Sequence, residues 1–356
     1  MAHPASAGGT SGGAADHRPA PPWPGAVRRV DGGPVVKVGL YFDLRVPPHV
    51  ETPPARVYAH TLEMCEEAER LGAESLWFSE HHLFDDGYLP QPLTMAAAAA
   101  ARTSHVRLGT ALVVGPLHHP AELAEQAAVV DLISDGRLDL GLGAGYREPE
   151  FALYGQDRDA RFPALAAMVP ELNRLWTEEL TPAPVQPTVP IWLGHGSEAG
   201  ARRAGALGAN LLFVNPDLLP AYEQGRAAAG LAPGDGKMGG PLFALASDDP
   251  EAEWTEMAPF IEYQQNSYRR HMVQGLDQPA PRPFDAEGAR QGSMTRPGSF
   301  WFDTSDAIAE RVGTWLGDAP IDTLFLWASV GGMPERMVER NVRMICEKVA
   351  PALRAL

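Results

Sequence analysis

The stretch SEHHL places three ionisable side chains, Glu80, His81 and His82, between an apolar run, SLWF, and a glycine-containing loop, FDDGYLP. A carboxylate beside two imidazoles could bind a metal ion, exchange protons beside a cofactor, or satisfy neighbouring polar groups at a strand end. Adjacent residues of an extended chain point to opposite sides, so His81 and His82 cannot easily bind one ion. His118 and His119 precede a helix-starting proline without HxxEH or CxxC spacing. We therefore predict no metal site. For His82 and His118, the alternative to a functional role is a structural one, in which each imidazole bonds to neighbouring polar groups at the barrel rim.

The stretch LGHGSEAGARR is typical of an anion-binding turn. Gly196 lets the backbone approach a ligand, Ser197 offers a hydroxyl, and the free N–H groups of a helix N-terminus attract a phosphate. Serine is also the ordinary residue before a helix, so capping alone is the alternative. The stretch GLGAGYRE lacks GxGxxG spacing into a helix and is interrupted by Pro149, which argues against a dinucleotide loop. Its glycines leave room for a flat ring, or they relieve crowding.

A regular alternation of strands and helices has to position these stretches. From Val35 onward, eight β-rich runs alternate with helical patterns: VVKVGLYF, ESLWFS, VRLGTALVV, LDLGLGAG, PIWLG, NLLFVN, PLFALAS and DTLFLWAS. Eight such units predict an α/β fold, a (β/α)8 TIM barrel with a long insertion before the eighth strand, and a doubly wound sheet is the alternative. In a barrel, the residues that follow the strands meet at one mouth, where SEHHL and LGHGS would converge.

The chain divides into a tail and one large domain. Residues 1–34 are rich in Gly, Ala and Pro without a signal-peptide arrangement, which predicts a disordered N-terminal tail, and residues 35–356 form the barrel domain. The polar segment at about 263–302 is longer than compact connections usually are. A lid over the mouth and an insertion without fixed structure are its two interpretations.

Bulk composition excludes several classes of partner. The 356 residues are 45% hydrophobic and 21% charged, which is typical of a globular protein with a sizeable core. The formal net charge of -16 repels phosphate backbones and anionic membranes, so we predict neither a nucleic-acid nor a membrane partner. No apolar run reaches membrane-spanning length. Two cysteines, Cys65 and Cys346, argue against a disulfide scaffold and indicate a reducing cytoplasm.

The order of these motifs resembles the bacterial luciferase-like flavin monooxygenases. The matching stretches are LWFSEHHLFDDGYLPQP, VRLGTALVVGPLHHPAELAEQAAVVDLISDGRLDLGLGAG, EFALYGQD and PIWLGHGS, within about residues 36–208. The resemblance implies a flavoprotein oxidoreductase that takes reduced FMN from a separate flavin reductase, forms a flavin hydroperoxide with O2 and inserts one oxygen atom into a small organic substrate. Family members often form homodimers. The alanine-rich stretch TMAAAAAARTS would permit close helix contact between two copies, and packing on the barrel is the alternative for this face.

The resemblance also assigns site residues. By matching position, His81 corresponds to the family's catalytic histidine, which exchanges a proton near the flavin and the substrate. Thr110, Ala111 and Leu112 match the strand that supports the flavin ring, where the family often has a cis peptide bond between the residues matching the last two. The other cofactor-binding residues so implied are Tyr41, Gly143, Tyr146, Arg161, Gly196, Ser197 and Asn215. Candidate substrate or lid contacts are His82, Tyr268, Arg269, Arg270, His271 and Trp327.

One departure from the family pattern opens alternatives. The common GRGY sequence is GAGY here, so Ala144 replaces a phosphate-binding arginine, and Arg147 or Arg158 are candidates to take its place. The missing arginine supports two alternatives to the FMN-dependent monooxygenase. One is an oxidoreductase that uses the deazaflavin coenzyme and transfers hydride, and the other is a non-catalytic flavin-binding barrel. The acidic chain lacks the basic rim that the anionic deazaflavin tail needs, so reduced FMN is the preferred cofactor.

Overall fold

The computed structural model describes residues 36–290 and 300–355. The predicted tail at 1–34 lies outside the described residues, as do residues 291–299 of the predicted insertion. The strands in this part of the chain are β1 Lys37–Tyr41, β2 Ser75–Phe78, β3 Arg107–Thr110, β4 Val113–Val114, β5 Leu138–Gly143, β6 Ile191–Leu193, β7 Asn210–Leu212, β8 Met238–Leu242, β9 Ala244–Ala246, β10 Trp301–Asp303 and β11 Ile321–Trp327.

The α-helices mostly follow the strands in alternation, and several begin with residues suited to a helix start. They are α1 Pro54–Arg70, α2 Pro92–Ala100, α3 Pro120–Ser134, α4 Glu148–Tyr154, α5 Arg161–Arg174, α6 Glu198–Ala206, α7 Leu219–Ala228, α8 Pro250–Met272, α9 Ala286–Arg290, α10 Ser305–Leu316, α11 Glu335–Met344 and α12 Ala350–Arg354. Proline stands in the first turn of α1, α2, α3 and α8, where its missing N–H leaves no helical bond unmade.

Eight of the strands, β1, β2, β3, β5, β6, β7, β8 and β11, form a closed parallel barrel. The sheet closes where β3 pairs with β5, with Leu108 opposite Leu138. β4 continues β3 beyond a cis peptide bond between Ala111 and Leu112, and it also pairs with β5. The closed barrel confirms the (β/α)8 prediction and contradicts the doubly wound alternative.

Alternation along the strands separates two layers of core. In β1, Leu40 belongs to the layer between barrel and helices, while the next residue, Tyr41, belongs to the cluster inside the barrel. The interior holds large aromatic rings, with Trp77 stacked on Phe325 at 4.5 Å between centroids. A Cβ on Gly109 would stand 2.2 Å from the Trp77 ring, so this strand needs glycine to admit the tryptophan.

The seventh barrel strand differs from the prediction. The run PLFALAS was expected there, but only its first two residues, Pro241 and Leu242, belong to the barrel strand. That strand is β8, with the sequence MGGPL, which pairs with β7 and β11. The later part of PLFALAS supplies β9, which pairs with β10 in a separate two-stranded sheet. Glycine and proline have low strand propensity, so β8 escapes sequence patterns. Gly239 is required because a Cβ there would lie 2.5 Å from the Thr323 side chain.

The predicted insertion at 263–302 begins inside a long helix. α8 runs to Met272, irregular chain follows, and α9 covers Ala286–Arg290 before β10 begins at Trp301. The C-terminal half of α8 is tied to the barrel by buried polar contacts: Ser267 donates to Asp86 at 2.6 Å and Gln264 donates to Asp43 at 2.8 Å. None of the described helices combines the length and apolarity needed to cross a membrane.

Candidate active site

A cavity of about 460 Å³ opens at the carboxyl ends of the barrel strands. This volume lies within the range of about 300–1,000 Å³ that most small-molecule sites occupy. The structure brings eight of the sequence-predicted residues together on its walls: Tyr41, His81, Ala111, Leu112, Gly143, Tyr146, Tyr268 and Trp327. They come from five barrel strand ends and from α8.

His81 is held in one orientation by a carboxylate that sequence reasoning missed. Its Nδ1–H donates to Oε1 of Glu150 at 2.9 Å, and the carboxylate can only accept. The other ring nitrogen, Nε2, therefore carries a lone pair, and it accepts from the Tyr146 hydroxyl at 3.3 Å. Burial lowers the pKa of His81 even though the Glu150 carboxylate raises it in part. The imidazole is therefore neutral at pH 7 and can accept a proton.

Glu150 itself is a point of convergence. Its Oε1 atom also accepts from the backbone N–H of His82 at 3.0 Å and from the Arg147 guanidinium at 2.9 Å. Burial opposes the charged form of this carboxyl, but the His81 hydrogen bond and the other donors outweigh it and lower the pKa of Glu150. The sequence signal was the run YREPE, in which Arg147 and Glu150 stand three positions apart at the start of α4.

Arg147 does not serve the phosphate role considered for it. Its side chain is fully buried and donates to the His271 carbonyl at 3.1 Å and the Gln274 side chain at 2.7 Å, as well as to the carbonyl of His82. All of these acceptors are protein atoms, so the guanidinium is engaged within the fold. Arg158 contacts the Tyr146 carbonyl and Glu148, so it too is engaged.

Glu80 organises a second buried cluster behind the cavity wall. It accepts from Nε2–H of His82 at 2.7 Å, from Nε2–H of His118 at 2.9 Å and from the Val114 N–H at 2.6 Å. Burial alone would raise the pKa of Glu80, but the His118 and His82 hydrogen bonds reverse this and lower it to about 2. The His82 side chain is absent from the cavity lining, so the structure supports the structural alternative for His82 and His118.

The strand end at Thr110, Ala111 and Leu112 forms one cavity wall. Thr110 lies beneath it, where its hydroxyl exchanges hydrogen bonds with the Gly141 backbone, and the Tyr41 hydroxyl donates to the Ala111 carbonyl at 2.6 Å. The expected cis bond between Ala111 and Leu112 is present.

Leu112 fills the space that two glycines leave. A Cβ on Gly143 would stand 2.5 Å from Leu112 Cδ1, and a Cβ on Gly194 would stand 2.6 Å from the same atom. Both glycines line the cavity through their backbones. The glycines of this strand end were interpreted either as leaving room for a flat ring or as relieving crowding. The contacts with Leu112 show that they relieve crowding.

The residues expected to bind a phosphate lie beyond the cavity lining. Gly196 and Ser197 are exposed at the start of α6, where Ser197 caps the helix by accepting from Gly200 N–H at 3.2 Å. Asn215 caps the turn after β7 through Asp217 N–H at 3.1 Å, and Arg161 donates to the Arg158 carbonyl at 2.7 Å. In this strand end the cavity lining stops at Gly194, two positions before Gly196 and four before the first residue of α6.

The predicted lid contacts divide between two faces of α8. Tyr268 lines the cavity, and its hydroxyl lies 2.6 Å from that of Tyr88. His271 stacks on Phe84 at 3.9 Å, and Arg269 donates to the Arg282 carbonyl at 3.1 Å, so neither reaches the cavity. Arg270 lies 3.8 Å from Asp85, also outside the cavity lining. Trp327 lies at the end of β11 with its ring 4.1 Å from that of Tyr41.

Across the described ranges 36–290 and 300–355, no group of three or more His, Cys, Asp or Glu side chains is placed to hold a metal ion. The two cysteines, Cys65 and Cys346, are buried and unbonded to each other.

Comparisons with known proteins agree on one family. The model of luciferase-like monooxygenases matches residues 36–318. The oxygenase component of the flavin-dependent trigonelline monooxygenase of Acinetobacter baylyi is 36% identical over 39% of this chain and 43% of its own length. An F420-dependent glucose-6-phosphate dehydrogenase of Amycolatopsis mediterranei is 30% identical over 47% of this chain and 59% of its own. The chain thus spans less than two thirds of either relative.

A solved structure extends the agreement to the whole fold. The monooxygenase RslO1 from Streptomyces bottropensis superposes with a TM-score of 0.75 at 24% identity, covering 89% of this chain and 99% of that one. With a family model that matches most of the chain and a barrel that carries the expected strand ends, the protein belongs to the luciferase-like monooxygenases and is an oxidoreductase.

Proposed function

We propose that this protein is the oxygenase component of a two-component system, which takes reduced FMN from a separate reductase and inserts one oxygen atom of O2 into a small organic substrate. The observation that carries the proposal is the orientation of His81. Glu150 holds its Nδ1–H, so the Nε2 lone pair faces a large cavity beside the Tyr146 hydroxyl.

The cavity suits a planar tricyclic ring. Aromatic and backbone surfaces form its walls, with Tyr41 and Trp327 packed on one another and the Ala111–Leu112 backbone beside them. Ligand sites of this kind are mainly apolar with a few oriented polar groups. The backbone N–H groups at the start of α6, next to Gly196 and Ser197, are the candidates to receive the phosphate, since a helix N-terminus favours an anion.

When bound, reduced FMN supplies the reaction with oxygen. The chain supplies the rest: His81 Nε2 holds or accepts a proton, Glu150 keeps the imidazole in one tautomer, and the aromatic walls exclude water. An imidazole suits this role because its ordinary pKa, about 6.5, lies near neutrality and allows reversible proton exchange.

The proposal is tested by mixing the protein anaerobically with reduced FMN and then with oxygenated buffer. We expect reduced FMN to bind and its reoxidation to slow relative to free flavin, followed by a spectroscopic phase that His81→Ala changes without loss of flavin binding. Reoxidation at the rate of free flavin, together with no binding of reduced FMN, would refute the proposal.

A deazaflavin-dependent hydride transfer is the second candidate. It is supported by Ala144 in place of a family arginine and by the similarity to the F420-dependent dehydrogenase of Amycolatopsis mediterranei. Titrating the protein with both coenzymes by fluorescence separates the two. Tight binding of the deazaflavin with no response to FMN would favour this candidate over the first.

A further inference from the structure

We propose that the substrate is an uncharged, mainly apolar molecule with one oxygen group, and that the hydroxyl of Tyr268, held in place by that of Tyr88, donates a hydrogen bond to that oxygen. This rests on the proposed function and deepens it by naming a substrate class. The inference comes from the charges, the apolar walls and the hydrogen-bond capacity of the described residues that line the cavity.

The cavity offers no counter-charge to an ionised substrate. Among its described lining residues there is no lysine or arginine, and the only carboxylate is Glu80, whose two oxygens already accept three hydrogen bonds. An ion that leaves water for such a site loses hydration without gaining a partner. The net charge of -16 adds to the penalty for an anion.

Arg45, a buried cation near the cavity, is already neutralised. Arg45 is only 2% exposed and forms an ion pair with Asp43 at 2.6 Å. Its guanidinium lies 4.9 Å from the ring of Tyr88 and 4.4 Å from the ring of Tyr268, and it is absent from the cavity lining. It therefore fixes these two aromatic rings without presenting its charge to a ligand.

Much of the wall is apolar. Val114, Phe162, Pro241, Phe243 and Met272 all face the cavity, in addition to the rings considered above for the flavin. Phe162 and Met272 are respectively 42% and 50% exposed, although large apolar side chains are usually buried. Contact with an apolar substrate would remove this surface from water, which is favourable in proportion to the area buried.

Besides His81, Tyr146 and Gln265, a polar pole of three hydroxyls interrupts the apolar wall. Ser79, Tyr88 and Tyr268 form a chain of hydroxyls in which Tyr88 bonds to Ser79 on one side and to Tyr268, at 2.6 Å, on the other. In the part of the chain that the structure describes, the Tyr268 hydroxyl has no other bond. A hydroxyl can donate once and accept twice, so Tyr268 keeps capacity for a ligand.

The polar pole lies beside the proposed proton-exchanging group. The ring of Tyr88 is 4.9 Å from that of His81 and the ring of Tyr268 is 6.0 Å from it. An oxygen bound by the Tyr268 hydroxyl would stand near His81. The buried contacts of α8 through Gln264 and Ser267 hold Tyr268 in place, so the pole is preorganised.

Four molecules with one bicyclic skeleton test the inference: tetralin, α-tetralone, tetralin carboxylate and protonated aminotetralin. Their binding to the full-length chain is measured by calorimetry at pH 7, with and without FMN. We expect the ketone to bind about fivefold more tightly than the hydrocarbon, as one net hydrogen bond provides. Both ions should bind roughly tenfold more weakly than the ketone, because nothing compensates their desolvation.

Tyr88→Phe and Tyr268→Phe keep both rings under Arg45 and remove one hydroxyl each. We expect the ketone-to-hydrocarbon ratio to fall towards one in Tyr268→Phe. It should fall less in Tyr88→Phe, because the Tyr268 hydroxyl then keeps its proton for the ketone. Tyr263→Phe is the matched control on the same helix, because its hydroxyl bonds to Asp86 at 3.2 Å and lies outside the cavity lining. Its ratio should stay at the wild-type value.

A carboxylate or ammonium that binds as tightly as the ketone overturns the inference, and so does a ketone preference that survives Tyr268→Phe. FMN binding by the same preparations, followed by flavin fluorescence, reports separately on the proposed function. Intact FMN binding with preferred binding of an ion would leave the proposed function standing and remove only the substrate class.

Discussion

The imidazole of His81 and the carboxylate of Glu150 are joined at 2.9 Å between Nδ1 and Oε1, although 69 positions separate them in the chain. One residue follows β2 and the other lies in the first turn of α4, after β5. Their contact leaves Nε2 of His81 as the acceptor that faces the cavity. The pair therefore sets which form of the histidine is available for chemistry.

The titration of His81 tests this relationship directly. In the wild type, burial places the pKa of His81 below its ordinary value of about 6.5, and the hydrogen bond and charge of Glu150 raise it part of the way back. Glu150→Gln removes those raising contributions, so we expect the pKa of His81 to fall further. An NMR titration of labelled histidines measures it, with His81→Gln assigning the signal.

Glu148→Gln is the control for that titration, because Glu148 lies in the same helical turn and pairs with Arg158 at 2.9 Å. It should leave the His81 signal unchanged. A pKa of His81 that rises in Glu150→Gln contradicts the expectation. Glu150→Gln also leaves the buried Arg147 without its carboxylate. The unfolding free energy of Glu150→Gln should therefore be about 3 kcal/mol lower than that of the wild type.

The Glu80 cluster predicts an acid-dependent stability. The pKa of Glu80 is lowered from 4.5 to about 2 in the folded chain, so its contribution is present above the unfolded pKa and is lost as the pH falls through the folded value. A shift of this size corresponds to roughly 3 kcal/mol. We expect the unfolding free energy to fall between about pH 5 and pH 2, and to fall less steeply in Glu80→Gln.

Urea unfolding at a series of pH values measures the difference between these slopes. His118 works in the opposite sense: its raised pKa adds stability that is full below about pH 6.5 and is lost as the pH rises through the folded value. Equal acid slopes in the wild type and in Glu80→Gln would show that other carboxylates dominate the acid transition.

The contact between Gly143 and Leu112 predicts a coupled pair of substitutions. A Cβ on Gly143 would stand 2.5 Å from Leu112 Cδ1, so Gly143→Ala should destabilise the chain by about 1–3 kcal/mol through overpacking. Adding Leu112→Ala removes the obstructing atoms and should recover more than half of that loss. Urea unfolding of the two single variants and the double variant gives the coupling energy, and strict additivity would contradict the packing.

The start of α6 predicts a charge effect on FMN binding. Glu198 stands in the first turn, where its carboxylate opposes a phosphate at the same helix end. Glu198→Gln should tighten FMN binding about twofold at low salt, and the gain should shrink at high salt. Fluorescence titration measures it, with Glu310→Gln on α10 as a control of equal charge change. An unchanged affinity for FMN in Glu198→Gln would show that the phosphate does not bind at the start of α6.

The sequence by itself determined the repeating unit, because runs of β-rich residues and amphipathic helices report which side of each element is buried. It also determined which residues follow the strands, and so it identified His81, Tyr41 and Tyr146 as neighbours at one mouth. The match to a known order of motifs added the cis bond after Ala111, which the chain has.

Only the tertiary structure decided which groups meet. Three of the five residues of β8 are glycine or proline, whose low strand propensity hides the strand, and it is defined by its pairing with β7 and β11. The positions of Arg147 and Glu150 behind His81 depend on the packing of α4. The position of Tyr88 in the cavity wall depends on the loop after β2 and on its contact with α8. Periodicity in a sequence records burial, whereas the distance between two distant residues is set by the closure of the whole barrel.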